Sequence, residues 1–130
     1  MKQMTRRLLR YCGLFMAGAL AACTGQNPQE PSPPPVATNV VTITSAGVNP
    51  KAALIAPGQR VRFVNNDSRP HNIGSDPHPE HGDCPEIDQI GFLASGQQRE
   101  TGNFVTVRNC GYHDHDMPNV TALQGQIQIR

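Results

Sequence analysis

Short runs of β-branched and apolar residues, separated by turn residues, dominate the chain from residue 38 onward. Residues 39–44 (NVVTIT) are rich in β-branched side chains, and residues 60–64 (RVRFV) alternate polar with apolar ones. Residues 103–107 (NFVTV) and 124–130 (QGQIQIR) have the same character, which is typical of strands. No long stretch shows helical periodicity. Several short strands between turns predict an all-β sandwich or barrel.

Two shorter apolar runs, at 53–55 and 90–93, add candidate strands to this pattern. Between them lies the least regular part of the domain, residues 65–89. Long irregular segments are uncommon in compact domains unless they are functional, so we expect this segment to carry function.

The first 22 residues have the layout of a secretory signal: a basic start and then a short, small and uncharged apolar stretch from residue 14. The stretch is too short for a spanning helix, which needs about 20 apolar residues. Residues 20–23 (LAAC) resemble the lipobox of bacterial lipoproteins, in which the cysteine takes a diacylglycerol. The resemblance implies lipidation at Cys23, with an ordinary secreted protein cut nearby as the alternative.

A lipid on Cys23 would make the membrane a partner of this protein and place it in the cell envelope. Thr24 follows the lipobox cysteine; in diderm bacteria a residue other than Asp there implies the periplasmic face of the outer membrane. Residues 25–35 (GQNPQEPSPPP) lack large apolar side chains and favour an extended spacer. The predicted organisation is therefore a signal peptide at 1–22, a lipidated, Pro-rich tether at 23–37 and one domain at 38–130.

Removal of the signal changes the charge of the chain. Four of the eleven Lys and Arg residues leave with it, so that seven oppose ten Asp and Glu and the net charge becomes −3. No basic stripe remains, which argues against nucleic acid as a partner. Of the four cysteines only Cys84 and Cys110 stay in the domain, and of the four methionines only Met117.

All five histidines fall in two groups. His71, His78 and His81 lie in the irregular segment, whereas His113 and His115 precede the last predicted strand. Imidazole is the commonest metal-ligating side chain. If the strands bring the two groups together, they form a metal site; solvated loop histidines are the alternative.

Residues 57–73 (PGQRVRFVNNDSRPHNI) and 110–117 (CGYHDHDM) resemble the two copper-binding segments of plastocyanin-like cupredoxins. The resemblance implies a Greek-key β-sandwich with one copper ion of the type 1 (blue) kind. It implies His71, Cys110 and His113 as strong ligands and Met117 as the weak axial ligand. This chain departs from the family by the extra residues 118–124, which put Met117 in doubt and make His115 an alternate ligand.

Cys110 also has a competing use. Two cysteines in an exported domain are candidates for a disulfide, and a Cys84–Cys110 bond would stabilise it by about 3 kcal/mol. Cys110 cannot be both a disulfide sulfur and a copper thiolate. In the disulfide case a histidine-only site remains possible, built from His71 and His113 with His115 or His78.

The resemblance implies a protein that transfers electrons or handles copper, with a redox or copper-donor protein as partner. The alternative is a disulfide-bonded β-sandwich module with a histidine-only metal site or no metal. An enzyme is not expected, because the chain has no nucleophile motif, phosphate loop or HExxH sequence. Its candidate acids and bases are loop carboxylates of the kind that are usually solvated, at Glu80, Glu86, Asp114 and Asp116.

Overall fold

The computed structural model describes residues 33–130. The predicted signal peptide, the lipidated Cys23 and most of the tether lie outside the described residues. None of the helices in the described part is long and apolar enough to cross a membrane. The last two tether residues, Val36 and Ala37, pair as a short strand with the domain.

Ten strands form two mixed sheets, with one short α-helix and one 3-10 turn between strands in the described range. The bounds are β1 Val36–Ala37, β2 Val40–Thr44, β3 Gly47–Asn49, β4 Ala52–Ile55, β5 Arg62–Asn65, β6 His71–Ser75, β7 Gly91–Leu93, β8 Gln98–Glu100, β9 Arg108–Asp114 and β10 Gly125–Ile129; α1 spans Pro85–Asp88 and the 3-10 turn Thr121–Leu123. The larger sheet has the order β1-β4-β10-β9-β6-β7 and the smaller the order β3-β2-β5-β8.

The two sheets enclose one apolar core. The β-branched run of β2 supplies Val41 and Ile43 from the smaller sheet, and β10 supplies Ile127 from the larger. Phe63 of β5 meets Tyr112 of β9 edge to face, with ring centroids 5.0 Å apart. Because strand side chains alternate between faces, each sheet has an inner face toward this core and an outer face away from it.

A disulfide between Cys84 and Cys110 lies in this core, with both cysteines fully buried. Cys84 stands just before α1, whose Ile87 also belongs to the core. The bond therefore ties the end of the irregular segment to the middle of β9.

The all-β prediction is confirmed, and strands form at five of the six predicted runs. The prediction of a strand over 103–107 is wrong: only Phe104 makes an isolated bridge, to Gln59. Val105 and Val107 are exposed, so the β-branched side chains there have no second layer to pack against. In contrast, β6 lies within the segment expected to be irregular, and β9 extends into the expected second histidine loop.

Candidate metal centre

Four histidines converge on the outer face of the larger sheet; we call them the outer cluster: His78, His81, His113 and His115. Their ligand nitrogens all lie within 4.8 Å of one another. His81 Nε2 is 2.7 Å from His115 Nδ1, and His78 Nδ1 is 3.3 Å from His113 Nε2. Tetrahedral nitrogens about 2.0–2.1 Å from a metal ion are about 3.3 Å apart, so the ligands are near binding separations.

Strand β9 and the residue beyond it provide two ligands. His113 lies opposite Gly74 of β6 in the sheet register, and alternation puts Gly111 on the same face. His115 follows the strand, and its backbone N–H donates to the Asn72 carbonyl at 2.6 Å. The ligand-bearing end of β9 is thus fixed to β6.

The loop 76–83 provides the other two ligands and folds back over the sheet. The Asp76 N–H donates to the Gly111 carbonyl at 3.0 Å, and the His81 N–H donates to the Pro77 carbonyl at 2.8 Å. His81 itself has a φ of 55°, a left-handed conformation that costs a residue other than glycine about 1–3 kcal/mol. Such conformations concentrate at functional sites, where surrounding contacts hold them.

Two glycines form the floor on which the loop rests. A Cβ at Gly74 would overlap the His81 ring, and a Cβ at Gly111 would overlap the Asp76 carboxylate. The absence of side chains at these two strand positions therefore allows the loop to approach the sheet closely enough to complete the cluster.

Hydrogen bonds fix the ring orientation of two ligands. The His81 Nδ1–H donates to the Ser75 carbonyl at 2.8 Å, and the His113 Nδ1–H donates to Asp76 Oδ1 at 2.7 Å. Because both partners are acceptors, each neutral ring keeps its proton on Nδ1 and directs the Nε2 lone pair into the cluster. Partners of this kind orient metal-ligating histidines and raise their basicity.

The electrostatics of the cluster favour a neutral ring at His78. Loss of hydration lowers the pKa of His78, and the like charges of His115, His113 and His81 lower it further, against an opposing effect of Glu80. A lowered pKa keeps the ring deprotonated, and so able to bind a metal, at lower pH than an isolated imidazole. A cleft of about 360 Å³ also borders His81 and His115, with Glu80 and Asp88 in its wall.

The structure brings His113 together with the alternates His115 and His78, but His71 lies elsewhere. His71 is fully buried on the inner face of β6, on the same side as Ile73. Its Nδ1 is 2.7 Å from Asp114 Oδ2 and its Nε2 is 3.2 Å from Asp67 Oδ2. Both ring nitrogens are therefore occupied, and the expectation that His71 is a ligand is corrected.

Cys110 is not available as a thiolate, because its sulfur is bonded to Cys84 at 2.03 Å. The strand explains why the Cys-x₂-His spacing misleads. Residues three apart on an extended strand point to opposite faces, so Cys110 faces the core while His113 faces the outer cluster. The expected type 1 copper set is corrected for this reason, and the competing disulfide is what the structure contains.

The side chain of Met117 is half-buried and packs against the hydrophobic core, which lies on the other side of the sheet from the outer cluster. The type 1 set in which Met117 was expected as the axial ligand is not formed, because its thiolate is in the disulfide. His81, placed in the first histidine group but not among the ligands, belongs to the cluster. The signal that could have found the outer cluster is strand alternation. If β9 is taken to continue to Asp114, Gly111 and His113 fall on one face of the sheet and Cys110 falls on the other.

No family model matches the sequence, and no curated protein does. Solved structures do match. A purple cupredoxin from Nitrosopumilus maritimus aligns with a TM-score of 0.53 and 20% identity, over 70% of this chain and 98% of that one. The plastocyanin of Dryopteris crassirhizoma gives 0.55 and 14%, over 70% and 99%. A mutant amicyanin with Cu(I) gives 0.54 and 18%, over 73% and 86%.

These neighbours share the fold of the described domain at low sequence identity. The expected fold class is confirmed: the described domain is a β-sandwich with the cupredoxin fold.

Proposed function

We propose that this domain binds one copper ion through the four histidines of the outer cluster and handles copper in the cell envelope. The convergence of four imidazole nitrogens, two of them directed by Ser75 and Asp76, is the observation that carries the proposal. The domain also shares its fold with an amicyanin whose structure contains Cu(I).

The donor set supports copper over other divalent ions. Imidazole suits copper, zinc and nickel, and among first-row divalent ions affinity generally peaks at Cu²⁺. When bound, copper would supply one-electron chemistry between Cu(I) and Cu(II). With no thiolate in the set, the site would lack the intense colour of a blue-copper protein.

A role in the uptake and release of copper is consistent with a difference among the four ligands: two of the rings are held by hydrogen bonds to other groups and two are not. His81 and His113 have hydrogen bonds behind their rings, whereas within residues 33–130 the only hydrogen-bond partners of the His78 and His115 rings are other histidine rings. His78 is also exposed. A ligand with freedom to leave provides a route by which copper enters or passes to a partner protein. Electron transfer is the second candidate, favoured by the fold shared with plastocyanin.

The lipobox supports a location at the membrane, with Cys23 lipidated and residues 24–37 as spacer. On this proposal the partners are a membrane and a redox or copper-donor protein. In a diderm cell the protein would lie on the periplasmic face of the outer membrane. Incorporation of labelled palmitate that is lost in Cys23→Ala would support the anchor. That the domain is not an enzyme stays a prediction.

Copper titration of the purified domain tests the proposed site. We expect one copper per chain, an electron paramagnetic resonance spectrum with nitrogen ligands, and no intense thiolate absorption band. The double variant His78→Ala with His81→Ala, which removes both loop ligands, is the matched control and should lose tight binding. No copper uptake by the wild-type domain, or an intensely blue Cu(II) form, would contradict the proposal.

A further inference from the structure

A second group of polar side chains lies on the inner face of the larger sheet; we call Asp67, His71 and Asp114 the inner cluster. Their side chains are at most 2% exposed. An unpaired charge at such depth costs far more than one that is paired and hydrogen-bonded. The three side chains therefore depend on one another.

His71 joins the two carboxylates of this cluster. Its Nδ1 is 2.7 Å from Asp114 Oδ2, a shorter contact than the 3.2 Å between Nε2 and Asp67 Oδ2. Asp67 has a further partner in Arg69, whose guanidinium lies 3.2 Å away. The side chain of Asp114 meets no other side chain within hydrogen-bond distance in residues 33–130, so His71 is its essential partner.

Asp114 in turn fixes the backbone around a ligand. Its Oδ1 accepts hydrogen bonds from the Asn72 N–H at 3.3 Å and from the Asp116 N–H at 3.0 Å. The His115 N–H donates to the Asn72 carbonyl at 2.6 Å. The carboxylate thus holds the chain on either side of His115, at the point where β9 ends and the ligands pass to the outer face.

We propose that His71 is a positioning residue of the metal centre, which holds Asp114 through Nδ1 and so sets the backbone that carries His113 and His115. The inference rests on the proposed copper site. His71 does not touch the metal; it acts from the opposite face of the sheet through one buried hydrogen bond.

Two substitutions separate the two nitrogens of His71. An Asn side chain places its amide N–H near the position of Nδ1 and can still donate to Asp114. A Gln side chain places its amide near Nε2 and can serve only Asp67. His71→Asn and His71→Gln are therefore a matched pair that differ in the contact named by the proposal.

Two measurements are made on each protein: copper affinity by competition with a chelator, and hydrogen exchange of the His115 and Asp116 amides without metal. His71→Gln should weaken affinity by about 10- to 100-fold, the usual effect of removing an outer partner of a metal ligand. In this variant the amides of His115 and Asp116 should exchange about ten times faster, because local opening of the segment costs less free energy. His71→Asn should return both values to within about threefold of the wild type.

Both variants should still bind one copper with the same number of nitrogen ligands. Loss of a nitrogen ligand in either variant would overturn the proposal by making His71 a ligand. Unchanged affinity and amide exchange in His71→Gln would overturn it by making the contact irrelevant. If His71→Gln does not fold, Asp114→Asn keeps the side-chain shape, and the same weakening and faster exchange are expected of it.

Failure of the proposed function is visible separately. If the wild-type domain takes up no copper, the function is wrong. The amide exchange of the metal-free variants then decides alone whether His71 fixes this segment: faster exchange in His71→Gln than in His71→Asn supports it, and equal exchange overturns it.

Discussion

The outer and inner clusters lie on opposite faces of the same two strands and use imidazole in opposite ways. His113 and Asp114 are neighbours in sequence, yet each belongs to a different cluster. In the outer cluster, the ligand nitrogens of four rings converge, and the Nδ1 protons of His81 and His113 are directed away from the centre, to Ser75 and Asp76. In the inner cluster both nitrogens of His71 meet carboxylates. The comparison teaches that the presence of histidines does not by itself mark a metal site. The mark is a set of ring nitrogens that converge on one point and have no carboxylate or carbonyl partner.

Removal of one outer ligand should have the largest effect on copper binding and little effect on folding. His115→Ala removes one of four donors, and we expect copper affinity to fall by about 100- to 1000-fold. The ring is half-buried and, within residues 33–130, hydrogen-bonds only to His81, so the free energy of unfolding without metal should change by less than about 0.5–1 kcal/mol. Chelator competition and urea unfolding measure the two quantities.

The neighbouring Asp116→Asn is the control for His115→Ala, since its side chain is exposed. It should leave both quantities near the wild-type values. A His115→Ala protein that binds copper normally, or that unfolds far more easily, would remove the distinction between the two clusters.

Adding a side chain at Gly74, beneath the outer cluster, should have the next largest effect on copper affinity. In Gly74→Ala the added Cβ overlaps the His81 ring, so the loop must lift or the ring must turn. We expect copper affinity to fall by about 10- to 100-fold, as when the support of a ligand is lost. Copper affinity is measured by the same competition assay.

Gly82→Ala, in the same loop, has no neighbouring atom within 4 Å of the added Cβ and should bind copper like the wild type. Equal affinities for Gly74→Ala and Gly82→Ala would show that close approach of the loop to the sheet is not needed.

Lowering the pH should have a smaller effect, on the contribution that the inner cluster makes to the free energy of unfolding. Burial alone raises the pKa of Asp67, but hydrogen bonds from Arg69, from the His71 ring and from the Ser68 N–H bring it below its ordinary value of 3.8. A carboxyl with a lowered pKa in the folded state stabilises the fold above about pH 4, and this contribution is lost as the pH falls through the folded value.

In Asp67→Asn this acid-dependent contribution is absent, so the metal-free wild type and the variant should differ most above about pH 4 and converge below it. Urea unfolding at a series of pH values measures the difference. A constant gap down to the lowest pH would show that ionisation of Asp67 does not stabilise the fold.

The sequence predicted five of the ten strands, because segments such as β2 and β5 carry strong β-branched or alternating patterns. Among the five strands it missed are β6 and β9, whose residues include Gly, Asn, His and Asp. These residues are poor in strand propensity, and pairing between Gly74 and His113 within the sheet overrides it. The pattern at 103–107 failed in the opposite direction, because favourable residues there found no partner strand.

The site was partly within reach of the sequence. The two histidine groups do meet, as their clustering suggested, but the choice among histidines depended on strand parity. A β9 that ends before Cys110 frees the cysteine and His113 to turn toward one metal, as the motif implied. A β9 that continues to Asp114 separates them. Sequence spacing alone does not state where a strand ends, and the partner of Cys110 lies 26 residues away.

On the proposed function, the disulfide would also order the events by which the domain matures. It joins the residue three positions after His81 to the residue three positions before His113, and so holds the two ligand-bearing segments together. On the proposed export route the chain would cross the membrane with reduced thiols and its histidines apart. Oxidation would then come first and copper second, so the cell would export the protein empty and load it only where copper is to be handled.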